Sequence, residues 1–123
     1  VNAGHNPPLV VRPRDGSCEM FSLQSEAMPV GISADAEFAS TTFRLETNDV
    51  LVAYTDGITE AENRQGEFWG EERLQNLLRS CCRETPEQII RCILEEVSEF
   101  ADGQRQRDDV TLVVLTVQDG CDV

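Results

Sequence analysis

Positive charge is scarce in this chain, and so are histidine, aromatic residues and long apolar runs. Lysine and arginine together number 10 against 23 aspartates and glutamates, a formal net charge of −13 at pH 7. That balance excludes non-specific nucleic-acid binding and adsorption to anionic membranes, both of which need a positive surface. It suits a solvated acidic surface and is compatible with divalent cations that neutralise clustered carboxylates. A single histidine and five cysteines without a Cys-x-x-Cys pair support neither a zinc site nor a disulfide framework. Cys81, Cys82 and Cys92 fall within helical patterns and are expected as small core or boundary residues of a cytoplasmic protein. No run is long enough to span a bilayer, no signal-peptide pattern appears, and there is no internal repeat.

What is present suffices for one small globular domain: 123 residues, 40% apolar, with five Phe, one Trp and one Tyr. The chain starts at Val1 without Met, inside a strand-and-loop pattern, and is expected to be a piece of a longer protein. Leu9–Arg12 and Cys18–Leu23 flank Pro13 and Asp15-Gly16, which predicts a hairpin. Residues 25–36 read as a surface connection. Phe38–Leu45 alternates and predicts a strand, turning through Thr47-Asn48-Asp49, with Asn48 suited to left-handed geometry, into a hairpin partner at Val50. Leu74, Leu77, Leu78, Cys81 and Cys82 recur at helical spacing, with Glu71 and Glu72 in the first turn. A second helix begins at Thr85, with Pro86 at its first position and Gln88 completing a capping box. Its predicted apolar face is Ile89, Ile90, Ile93, Leu94, Val97 and Phe100, stopped by Gly103. Val110–Val117 reads as a central strand, followed by a frayed tail at 119–123. Strands segregated from helices predict an α+β fold with antiparallel pairing.

The stretch Val50–Ala61 organises the rest. Five apolar residues, Val50–Tyr54, predict a strand covered on both faces that delivers Asp56 into a turn made possible by Gly57. Asp56 reads equally well as a metal or catalytic carboxylate and as a helix cap. Asp108-Asp109 immediately precedes the last strand. If the two strands are antiparallel neighbours, both sets of carboxylates project at one sheet edge and suit Mg²⁺ or Mn²⁺. The plainer reading of Asp108-Asp109 is a pair of loop acids answering Arg105 and Arg107, and that of Glu60 is a first-turn helix acid.

Asn2-Ala3-Gly4-His5-Asn6-Pro7-Pro8, Pro29-Val30-Gly31-Ile32, Tyr54–Ala61, Gly66-Glu67 with Trp69-Gly70, and Asp108–Leu112 occur in one order. The series resembles the C-terminal half of bacterial PPM-type serine/threonine phosphatases of the sporulation-stage-II and sigma-factor-regulator kind, over nearly the whole chain. The resemblance implies that residues 1–118 form part of an αββα sandwich whose N-terminal half is missing. It implies Mn²⁺ or Mg²⁺ in a two-metal site, with Asp56 and Asp108 as ligands and Asp109 behind them. Gly57 and His5 would be site-adjacent, a packing role in the loop being the plainer one for His5, and Gly31 would lie in the loop before a regulatory helical segment. The activity implied is hydrolysis of phosphoserine or phosphothreonine by metal-activated water. The implied substrate is a phosphorylated STAS-type anti-sigma-factor antagonist, with a sensor or receiver domain upstream. Trp69 stands where Phe is usual, and Thr47-Asn48-Asp49 replaces a turn that more commonly contains Gly. Nothing here matches the family's Asp with a Gly-His-Gly-type loop, whose acid bridges the metals, so the segment alone is expected to turn over little substrate. The other reading is a non-catalytic regulatory module that binds a protein partner.

Overall fold

The chain first doubles back at Asp15-Gly16, where Gly16 takes φ +74°, and the hairpin predicted around it forms. The computed structural model describes residues 1–24 and 27–119. Residues 25 and 26 of the expected connection and 120–123 of the expected frayed tail fall outside them. Strand β1 (Leu9–Arg14) pairs antiparallel with β2 (Ser17–Ser22), Leu9 opposite Ser22 and Arg14 opposite Ser17. On its other side β1 pairs with β3 (Val50–Tyr54), but only over Leu9–Val11. Pro13, which has no N–H to donate, therefore sits in β1 beyond the reach of β3. Strand β4 (Leu112–Thr116) completes an antiparallel sheet of order β2-β1-β3-β4. Three helices lie between β3 and β4: α1 (Asp56–Thr59), α2 (Glu71–Cys81) and α3 (Pro86–Ala101). The α+β class with antiparallel pairing is as expected.

Alternation along the strands separates two faces. Leu9, Val11, Val50, Val52 and Tyr54 point to the helix side and form one core with Leu74 and Leu78 of α2 and Ile89 and Ile93 of α3. Val10, Leu51 and Leu115 are in register on the opposite face, as are Ala53 and Val113. There Val113 and Leu115 are 54% and 48% exposed. The run Val50–Tyr54 is thus buried on the helix side and half-covered on the other, where coverage of both faces was expected. For the same reason β4 is an edge strand among the described strands, not a central one.

The predicted helix starts hold. Thr85 caps α3: its hydroxyl accepts the Gln88 N–H, the Gln88 side chain accepts the Thr85 N–H, and Pro86 follows. Asp102 and Gly103, at φ +47° and +80°, end the helix in left-handed geometry. Leu94, expected in the core, is 44% exposed, because the α3 face that meets the sheet is centred on Ile89 and Ile93.

Two further expectations fail. Phe38–Leu45 forms no strand, so β3 has no hairpin partner before it. The segment is instead held by a side chain. The Arg12 guanidinium donates to the Arg44 carbonyl at 3.1 Å and lies 5.7 Å from the Phe43 ring centre and 5.1 Å from that of Phe21. It also forks onto Asp49 at 2.8 and 2.7 Å. Asp49 is fully buried and accepts the Glu46 N–H, while Asn48 takes the expected left-handed conformation at φ +70°. A buried two-pronged ion pair thus does the work expected of a strand ladder. The cysteine reading also changes: Cys18 of β2 and Cys82 at the end of α2 are joined in a disulfide. They are 64 residues apart, and only the packing of α2 on the hairpin brings them together, so spacing carried no hint of the pair. Cys81 and Cys92 keep free thiols, buried and half-buried respectively, in line with the expected packing roles.

Candidate metal-binding edge and the cavity beside it

Asp56 follows β3 by one residue and opens α1, with Thr55 in extended geometry as the cap residue. Neither residue makes a side-chain capping bond, so Asp56 does not act as the cap that its position allowed. Its carboxylate is exposed at the sheet end. The same sheet end carries Asp108-Asp109, because β3 and β4 are antiparallel neighbours with Tyr54 opposite Leu112.

Three contacts set the approach of these two segments. The Thr55 N–H donates to the Thr111 carbonyl at 3.1 Å. The Thr55 hydroxyl donates to the Asp109 carbonyl at 3.1 Å and accepts the Thr111 N–H at 3.0 Å. Gly57 lies directly against the Asp109 carbonyl: a Cβ there would fall on that oxygen, while it would only touch the Val110 side chain, at 3.4 Å. Gly57 was expected to matter for a left-handed turn or for approach to a ligand. It is helical, and its missing side chain makes room for the partner loop. The Asp109 N–H in turn donates to the Asp108 carboxylate at 2.8 Å.

Downstream residues clamp α1 from below. Trp69, buried in the core, donates its N–H to the Ala61 carbonyl, and Gly70 donates to Thr59, both at 2.8 Å. Tyr54, the last residue of β3, is buried and reaches Glu71 at the start of α2, with 3.5 Å between oxygens. Burial, with the nearby Glu71 charge, pushes its hydroxyl up to about 12, so it stays neutral. Asp56 therefore stands on a rigid base, as a ligand site requires.

The other candidates are placed differently. Arg107 pairs with Glu62 at 2.8 Å and not with its own neighbours, and no ion pair engages Asp56, Asp108 or Asp109 among the described residues. The plain reading of Asp108-Asp109 as acids answering Arg105 and Arg107 is thereby set aside. Glu60 is exposed at the C-terminal end of α1, not in its first turn. His5 lies exposed in a turn clasped by Asn2, whose side chain bonds the His5 N–H and carbonyl at 2.9 and 3.0 Å. Gly4, at φ +82°, abuts Pro29, where an added Cβ would come within 2.6 Å of the ring. That contact joins the first two motifs of the series. Gly31, at φ +91°, is exposed, with Val30 and Ile32 exposed on either side.

Asp56 and Asp108 offer hard carboxylate oxygens outside any ion pair, one of Asp108's accepting the Asp109 N–H, of the kind that suit Mn²⁺ or Mg²⁺. Among the described residues, no group of three His, Cys, Asp or Glu side chains comes together to enclose an ion. The donor chemistry of the two carboxylates fits a divalent metal.

Beside this edge opens a cavity of about 520 Å³ between α1, the C-terminal half of α3 and the 103–108 loop. Gly57 and Asp108 line it together with Ile58, Val97 and Val110.

Residues 1–118 match the family model of stage II sporulation protein E, SpoIIE. The chain belongs to the SpoIIE family. It is 28% identical over 115 residues to the phosphoserine phosphatase RsbU of Bacillus subtilis, covering 94% of this chain and 33% of RsbU. Among solved structures it superposes on the SiaA-PP2C domain of Pseudomonas aeruginosa with a TM-score of 0.78 at 21% identity, covering 94% of this chain and 45% of that one. It superposes on the Mn-presoaked phosphatase domain of SpoIIE from Bacillus subtilis with a TM-score of 0.66 at 22% identity, covering 97% and 49%. The sheet with its helices is thus a PP2C-type fold in part. The chain spans a third or less of the curated relatives it matches.

Proposed function

We propose that the full-length protein is a metal-dependent phosphatase that removes phosphate from phosphoserine or phosphothreonine on a regulatory protein. The observation that carries this is the meeting of Asp56 and the Asp108-Asp109 loop at one sheet end, held by the Thr55 hydroxyl and the bare face of Gly57. Membership in the SpoIIE family and likeness to RsbU support it. Residues 1–118 are read as the C-terminal part of the domain, with the apolar face bearing Val113 and Leu115 covered by the second sheet.

Asp56 and Asp108 are the residues that would hold Mn²⁺ or Mg²⁺, with Asp109 orienting Asp108 through its N–H. When bound, such ions make a water nucleophilic near neutral pH and neutralise phosphoryl oxygens. The chain's own part is to fix two carboxylates, rigidly and exposed, on elements braced by Trp69 and Tyr54. No side-chain nucleophile is required: Cys81 is buried, its thiol pushed up to about 11 by that burial. The substrate is read as a STAS-type protein and the upstream region as a sensor or receiver domain. Gly31 and its exposed neighbours are read as a regulatory loop, and His5 as a residue of the adjacent turn.

The test is turnover of a phosphoserine peptide by the full-length protein with Mn²⁺, compared with Asp56→Asn and Asp108→Asn. Both variants should lose activity by at least about a hundredfold; undiminished turnover in both would remove the metal assignment. A regulatory module that binds a partner without turnover is the other reading. That no three potential ligand side chains group to enclose an ion among the described residues favours it for the isolated segment. It predicts partner binding with no hydrolysis by the full-length protein.

A further inference from the structure

The end of the sheet away from the acid edge carries a second chemical feature. Strand β3 starts with Val50 opposite Val11, and Cys18 stands opposite Pro13, two residues further along β1. Cys18 therefore lies beyond the start of β3, while Asp56 lies beyond its end. The bond from Cys18 to Cys82 closes a segment that contains β3, α1 and Asp56. Its two sulfurs sit in unlike surroundings. Cys82 is 3% exposed at the end of α2, whereas Cys18 is half-buried and within reach of solvent. The Arg83 guanidinium donates to the Cys18 sulfur at 4.0 Å, held there by bonds to the Arg14 carbonyl and, at 3.4 Å, to the Ser17 carbonyl. Glu19, the neighbouring acid, projects to the opposite face of β2 and pairs with Arg14 at 3.0 Å. A guanidinium beside a sulfur favours the thiolate, the form that reacts with peroxides and disulfides. Cys81 differs: it is buried in the core, which pushes its thiol up to about 11 and keeps it protonated.

We propose that Cys18 and Cys82 form a reversible redox switch, with Cys18 the peroxide-reactive thiol and Cys82 the thiol that resolves it. In the reduced protein the Cys18 thiolate attacks hydrogen peroxide. The O–O bond breaks, Cys18 becomes a sulfenic acid, and the departing hydroxide is protonated to water. The Cys82 thiol then attacks the sulfenic sulfur, forming the S–S bond and releasing a second water. The pair has thereby given two electrons to the peroxide. A dithiol returns them. Its thiolate attacks the accessible Cys18 sulfur, and Cys82 leaves and takes up a proton. The second thiol of the reductant then frees Cys18 as a thiolate beside Arg83. The oxidised state ties α2 to the hairpin through residues 64 apart, and the reduced state leaves that junction to packing and to Arg83. Closing so long a loop restricts the unfolded chain, so the oxidised form is the more stable one. The switch lies at the other end of the sheet from the acid edge and does not rest on the phosphatase reading.

The test uses the full-length protein, first reduced and then treated with hydrogen peroxide, with Cys18 and Cys82 followed by alkylation and peptide mass mapping. Peroxide should join the two residues, and dithiothreitol should restore both thiols without denaturant. The melting temperature should be higher in the oxidised form by roughly 5–15 °C. In Cys82→Ser, dimedone should label Cys18 as the trapped sulfenic acid. Arg83→Leu should slow crosslinking roughly tenfold, and Arg83→Lys, which keeps the charge, should stay within about threefold of the unaltered protein. Cys18 and Cys82 that remain separately alkylated after peroxide would overturn the pair. A crosslink that dithiothreitol cannot open in the folded protein would be a permanent tie and would overturn the switch, as would equal melting temperatures in the two states. Dimedone on Cys81 or Cys92 in place of Cys18, or an unchanged rate in Arg83→Leu, would overturn Cys18 as the reactive thiol. The mapping and the melting curves use the unaltered protein, so the pair is tested even where a substitution impairs folding.

Discussion

The hydroxyl of Thr55 bridges two backbone groups of the opposite segment, donating to the Asp109 carbonyl at 3.1 Å and accepting the Thr111 N–H at 3.0 Å. One oxygen thus sets how close the end of β3 comes to the loop before β4. Thr55→Val keeps the shape and removes the bridge, whereas Thr55→Ser keeps the hydroxyl. In the full-length protein, the Val variant should need roughly tenfold more Mn²⁺ for half-maximal activity, as expected when a group that orients metal ligands is lost. The Ser variant should titrate like the unaltered protein. Equal metal dependence in the two variants would reduce Thr55 to a turn residue.

Gly57 makes a complementary prediction. It is helical, so Ala is acceptable to its backbone, and only the Asp109 carbonyl stands in the way. Gly57→Ala should push the Asp109 loop outward, at an overpacking cost of about 1–3 kcal/mol. Mn²⁺ dependence should weaken in parallel. Full activity with an unchanged melting temperature would show that the loop yields freely.

The pair of Arg12 and Asp49 predicts a pH dependence. The hydrogen bonds from Arg12 hold the Asp49 carboxyl below the usual carboxylate range, against the opposing effect of burial. In the unfolded chain Asp49 takes up its proton near the ordinary value of about 4. In the native state it resists until lower pH. Its contribution is therefore complete above the unfolded value and is lost as pH falls through the lowered native one. Melting curves from pH 7 to pH 2 should show Asp49→Asn well below the unaltered protein at neutral pH, with the gap closing in acid. A gap independent of pH would assign the loss to packing.

Helix α3 offers a test of where stability resides. Ile93 is fully buried against the sheet, so Ile93→Ala should cost about 3 kcal/mol. Thr85→Ala, which removes the capping hydroxyl, should cost about 1 kcal/mol. Urea unfolding with an unchanged slope would measure both, and a reversed order would show that α3 is held by its end more than by its face.

Local chemistry explains what could be read in advance. The Asp15-Gly16 turn, the Thr85 capping box, Asn48 and the two helices each depend on a few adjacent residues, and each appears where their pattern put it. The failures are long-range. Phe38–Leu45 alternates like a strand, but it is anchored by Arg12, whose fork onto a buried Asp49 spans 37 residues. Leu94 has helical spacing suited to a core, but the buried face of α3 is centred on Ile89 and Ile93. At the candidate site the pair of Asp56 and Asp108 was legible because antiparallel neighbours bring a strand end beside a strand start. The bridging role of Thr55 and the reason for Gly57 were not, since both depend on the Asp109 loop, 54 residues from Thr55.

Sheet order has a kinetic consequence for the acid edge. Asp56 is in place once β3 and α1 form, but its counterpart arrives only with the segment that leads into β4, after α2 and α3 have been made. During synthesis these carboxylates stay apart until β4 has emerged and closes a high-contact-order pairing with β3. A chain truncated before Leu112 would lack the strand that pairs with β3 and supports α3, and would have no paired acid edge.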